Sequence, residues 1–70
     1  MINYQLLQEM LTEMNSNYKH ESHDEIEGGF RVNYSYRYDG DVERTYKTMN
    51  ITIVEIIDFL YSKIINIHNK

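Results

Sequence analysis

Seventy residues with a formal net charge of −4, no Cys and no Pro set narrow bounds. The length allows one domain, and a chain this small buries only about 60% of the surface its unfolded form exposes. Lack of Cys excludes disulfides and thiolate zinc sites and fits a reducing, cytoplasmic compartment. The acidic balance argues against a general nucleic-acid binder, which needs a basic stripe, and no charged segment followed by an apolar one marks a secretory signal.

The first predicted element is a helix over residues 4–17. Asn3 is its N-cap, and Ile2 with Leu7 forms a hydrophobic staple. Leu7, Met10, Leu11, Met14 and Tyr18 recur at helical spacing on one face. Asn15, Ser16 and Asn17 compete for backbone bonds and end it. Residues 19–27, KHESHDEIE, read as an acidic, solvated linker. His20 and His23 stand there beside Glu21, Asp24 and Glu25, but His-x-x-His without a third ligand cluster is a weak zinc signal. No metal and no cofactor are expected.

Gly28-Gly29 breaks the chain before the clearest strand pattern. Phe30, Val32, Tyr34, Tyr36 and Tyr38 alternate with Arg31, Asn33, Ser35 and Arg37. Asp39-Gly40 is a hairpin signal, and the hairpin spans 29–50. A two-residue loop sets Glu43, Thr45 and Lys47 beside the aromatic face. A three-residue loop with a bulge puts Val42, Arg44 and Tyr46 there instead. Burial favours the bulged register, because a one-residue slip flips every side chain.

The last element, a helix over 53–67, organises the rest. Thr52 and Glu55 form a capping box, and Ile51 with Ile56 a staple. At about 100° per residue, Ile53, Ile56, Ile57, Leu60, Ile64 and Ile67 share one face, which Val54, Tyr61 and Ile65 widen to half the circumference. Phe59 falls outside it. Glu55, Asp58 and Lys63 interrupt the run, which argues against a membrane span. The expected fold is α+β in the order α-β-β-α, a single domain over 1–70 with both helices on one face of an antiparallel hairpin. Leu60 and Ile57 are expected in the core against Leu7, Leu11 and Phe30.

No motif carries chemistry. The serines lack an elbow, no Gly-rich phosphate loop is present, and so small a domain lacks room for an ordinary pocket of about 300 Å³. The chain therefore reads as a non-enzyme that binds another protein, a host or viral one with a basic surface. The expected contact is the hairpin tip, Tyr36, Tyr38 and Asp39, with Asp41 and Glu43 at its rim and Phe59 as a further exposed aromatic. Tyr suits interfaces because its ring is rigid and amphipathic. Two other readings stand beside it. Glu21, Asp24, Glu25, Glu27, Asp39, Asp41 and Glu43 could mimic nucleic-acid phosphates in a basic cleft. Alternatively, Arg31, Arg37, Arg44 and the Tyr residues of a dimer could stack on single-stranded nucleic acid. A homodimer through helix 53–67 or a strand edge is expected, since one hairpin and one short helix cannot cover so wide an apolar arc. In size, acidity and lack of chemistry the chain resembles the small inhibitors that phages and mobile elements direct against host defence enzymes, anti-CRISPR proteins included. That resemblance of class implies an inhibitor or adaptor of the anti-defence type.

Overall fold

A computed structural model describes residues 4–68, with side chains through Asn66. The fold is α+β: α1 (Tyr4–Met14), β1 (Lys19–Ile26), β2 (Gly29–Tyr36), β3 (Thr45–Thr52) and α2 (Ile53–His68). The three strands form one antiparallel sheet in the order β1-β2-β3. The order is therefore α-β-β-β-α, and the expected linker is the first strand. The proposed cap at Asn3 and the staple residue Ile2 lie outside the described residues.

Segment 19–26 is a strand despite its polarity because its backbone pairs along its length with β2 and, at His20, with the side chain of Gln8. Lys19 to Ile26 pairs with β2, and Asp24 sits opposite Arg31, a favourable cross-strand pair. Gln8 fastens α1 to the segment: its Oε1 accepts the His20 N–H at 2.7 Å, and its Nε2 donates to the Tyr18 carbonyl at 2.9 Å. The register shifts between His20 and Ser22, so Glu21 is a bulge. Without the shift, residues three apart would face opposite sides; with it, His20 and His23 are both half-buried. The charged outer residues suit an edge strand, which must resist pairing with other chains.

Gly28 and Gly29 form the joint of the molecule. Gly28 takes φ +79° in the tight β1–β2 turn, and its carbonyl accepts the Ile53 N–H at 2.8 Å, where α2 begins. A Cβ on Gly29 would lie 2.2 Å from the Ile51 carbonyl oxygen, so only glycine lets β3 approach this closely.

The expected bulged register between β2 and β3 does not form. Tyr36 pairs with Thr45, Tyr34 with Lys47, Val32 with Met49 and Phe30 with Ile51, leaving residues 37–44 as the connecting loop. Val42 and Tyr46 are exposed, while Ile51 is buried and Met49 half-buried. Burying an Ile side chain stabilises by about 1.5–3 kcal/mol, and this register places Ile51 on the sheet's covered face, which the bulged one does not. It also separates Arg31 from Lys47, which the bulged register had set opposite each other.

The core lies between the sheet and the helices. Among the described residues it holds Leu7, Met10, Leu11, Phe30, Val32, Tyr34, Ile51 and Ile56, with Leu6, Tyr18, Tyr36, Met49 and Phe59 packed at its margin. The capping box forms as expected: the Glu55 N–H donates to Thr52 Oγ1 at 3.1 Å, and the Thr52 N–H to Glu55 Oε1 at 3.0 Å. The staple residues Ile51 and Ile56 are both buried. This end-lock sets the rotation of α2. With Ile56 inward, Phe59 follows toward the core, and the broad apolar arc turns outward. Ile57 and Leu60, expected in the core, are 57% and 41% exposed. No described helix is long and apolar enough to cross a membrane.

Candidate functional site

The expected tip is a longer, ordered loop in which several proposed contact residues hold the fold. Tyr34, Tyr18, Tyr36 and Tyr38 form a chain of tilted rings, at centroid distances of 4.6, 5.5 and 5.3 Å, running from the core outward. Burial, with Tyr18 beside it, pushes the Tyr34 hydroxyl above its ordinary range. Tyr36 is half-buried within this chain, so its ring is committed to packing. Tyr38 is exposed, yet its hydroxyl accepts from Asn15 Nδ2 at 2.9 Å, which ties the loop to the end of α1. Asp41 builds the turn: its Oδ2 accepts the Tyr38 N–H, its own N–H donates to the Tyr38 carbonyl, and its carbonyl accepts from Arg37 Nε. Gly40 supplies the positive φ, +94°, that the turn requires. Asp39 and Glu43 are exposed, as is Val42, at 93%.

Phe59 does not stand free. It packs half-buried at the margin of the core, with Lys63 Nζ 5.1 Å from its ring centroid. There it floors a groove of about 390 Å³ between α1 and α2, lined by Met10, Glu13, Met14, Glu55, Asp58, Phe59 and Ser62. Sequence reasoning expected no concavity of this size. The groove lies between α1 and α2, and a Lys63–Glu9 ion pair also links the two helices. Its floor is apolar and deformable, since Met fills irregular space. Its rim carries three carboxylates, and no cation lines it among the described residues. Lys63 is drawn off to Glu9.

Two polar clusters lie elsewhere. Between α1 and β1, His20 Nε2 and His23 Nδ1 are 2.8 Å apart, with the Tyr4 ring tilted against His20 and Phe30 edge-on to His23. Burial, then the neighbouring His23, lower the His20 pKa, and Glu21 partly offsets this. No group of three His, Asp or Glu arranged to hold a metal occurs among the described residues. On the sheet's other face, the buried Ser35 hydroxyl donates to Glu21 and accepts from Arg44 Nε and Nη2 at 3.1 and 3.0 Å. This cluster locks Arg44 and the start of β3 to the sheet.

The acids proposed as a phosphate mimic do not form one row. Glu25 and Glu27 lie near the β1–β2 turn, whereas Asp39, Asp41 and Glu43 lie in the loop at the far end of β2. The Arg residues are likewise divided, with Arg37 held by the loop and Arg44 by Ser35. Comparison with protein-family models, curated proteins and solved structures finds no match.

Proposed function

We propose that this chain is a non-catalytic protein-binding module, a small acidic inhibitor or adaptor, that takes a basic segment of its partner into the groove between α1 and α2. The observation that carries this reading is the groove's construction: Met10, Met14 and Phe59 below, with Glu13, Glu55 and Asp58 around them and no lining cation among the described residues. A Lys or Arg side chain matches that arrangement, its aliphatic stem on the floor and its charged head at the rim. Glu55 also caps α2, and Glu13 and Asp58 at the rim steer a basic partner and speed encounter. The exposed end of the 37–44 loop, with Tyr38, Asp39, Val42 and Glu43, offers a second contact zone. A phage or mobile-element protein directed against a host defence enzyme, in the manner of anti-CRISPR proteins, is the setting that size, acidity and absent chemistry favour.

The test is comparative capture from host lysate. The bait is the parent chain, a Glu13→Lys/Asp58→Lys variant, or a Tyr38→Ala/Val42→Ser variant, each confirmed as folded. A partner retained by the parent and lost in the groove variant, with binding weakened by salt, supports the reading. A partner indifferent to the groove variant moves the site to the loop or removes it.

A further inference from the structure

The largest unexplained surface is the outer side of α2. Viewed down its axis over residues 53–66, Leu60, Ile53, Ile64, Ile57, Tyr61, Val54 and Ile65 follow one another around an arc of about 140°. All seven are exposed, from 37% at Ile65 to 66% at Val54. No charged residue of 53–66 lies within that arc. Asp58, Ser62 and Glu55 border it on the groove side, while Ile56 and Phe59 point into the fold.

We infer that this arc is the interface of a symmetric homodimer, α2 packed on α2 of a second copy. The inference is independent of the groove and goes beyond the protein-binding reading. Three observations select a second copy as the occupant. Ile53, Ile57, Leu60 and Ile64 are spaced four, three and four apart, the seam of a two-helix coil with knobs-into-holes packing. In an antiparallel pair, Ile57 of one chain lies beside Leu60 of the other, and Ile53 beside Ile64. The seam is thus complementary to itself, and opposite helix ends meet. Second, the seven residues expose roughly 700 Å², close to the about 800 Å² per partner of a standard interface and above the few hundred that isolated soluble chains leave in water. Third, charge excludes the commonest alternative. A helix lying on a lipid surface carries Lys and Arg along its polar face. The polar side of α2 carries Glu55 and Asp58, and Lys63 is paired with Glu9. The molecule is only 15 Å thick along its shortest axis, and domains this small commonly gain stability from a partner chain.

Sedimentation equilibrium of the full chain from about 5 to 500 μM tests this, because an association of this kind follows mass action. The parent should move from one chain mass, 8.5 kDa, to twice that value. Ile57→Lys/Leu60→Lys should hold one chain mass throughout, with an unchanged circular-dichroism spectrum in dilute solution. Should Leu60 prove too close to the core, Ile57→Lys/Tyr61→Lys alters only the two outward positions and should do the same. A parent chain of single mass across the range overturns the inference, as do folded Lys variants that dimerise like the parent. So does a single-mass parent that binds neutral or anionic lipid vesicles through this arc.

Discussion

The two helices use their apolar residues in opposite ways. α1 is short and mixed in character, yet Leu7, Met10 and Leu11 are all buried. α2 is longer and richer in Ile, yet among its described side chains Ile56 alone is fully buried and Phe59 half-buried, while seven other large apolar side chains stand in water. Hydrophobicity therefore does not decide which side of α2 faces the core. The decision is made at its first turn, where β3 runs directly into the helix. Thr52 and Glu55 cap it, Gly28 accepts the Ile53 N–H, and the Ile51–Ile56 pair fixes the rotation. α1 is tied to β1 through the side chain of Gln8 and turns Leu7, Met10 and Leu11 inward.

The largest expected contrast is between equivalent truncations in the two helices. Leu11→Ala should destabilise by about 2–5 kcal/mol, a large share of a small domain's stability. Leu60→Ala, measured in dilute solution, should cost less than about 1 kcal/mol because its side chain is already part-solvated. Urea melts of the two variants side by side would break the comparison if the costs were equal.

Next in size is the joint that orients α2. Gly29→Ala forces a Cβ against the Ile51 carbonyl, and moving backbone of a packed sheet costs about 1–3 kcal/mol. Thr52→Ala removes the cap oxygen and should cost about 1 kcal/mol. Thermal melts with hydrogen exchange at the start of α2 sharpen the point. Loss of protection confined to that end supports the lock, and uniform loss does not.

The smallest effect concerns the attachment of α1 to β1. The His20 pKa is lowered in the folded chain, so the unfolded chain binds that proton more readily. The stability from the neutral ring is present above the ordinary histidine value of 6.5 and is lost as pH falls through the folded value. Melts between about pH 7 and pH 5 should show this decline, and His20→Phe, which keeps the ring packing, should flatten it.

Much of the architecture is legible in the residues. The capping box and the Ile51–Ile56 staple appear as their spacing implies. The α1 stripe holds for Leu7, Met10 and Leu11, but the helix ends at Met14, which is exposed, short of the expected 17. The β2 alternation holds from Phe30 to Tyr36 except that Ser35 is buried. What escapes is what depends on distant partners. KHESHDEI carries no apolar alternation. Its strand character comes from β2 on one side, Gln8 on the other and a bulge that aligns two histidines. The β2–β3 register turns on Ile51, which sequence spacing assigns to the helix entry, although it serves both the strand and the staple. The groove is illegible because it is a gap between two helices. Met10 and Met14 read as core filler, and Phe59 as an outlier of its arc.

The central claim is that α2 is rotated so that Ile56 faces the core and Ile57 and Leu60 face outward. The chain has no Cys, so single-cysteine variants report without background. Ile56→Cys, Ile57→Cys and Leu60→Cys should be labelled by a thiol reagent in dilute solution, where association is absent. The account predicts that Cys introduced at 57 and 60 reacts at nearly the rate of the unfolded chain, while Cys at 56 reacts about a hundredfold more slowly, limited by opening of the fold. Protection at 57 and 60 with fast labelling at 56 would contradict it.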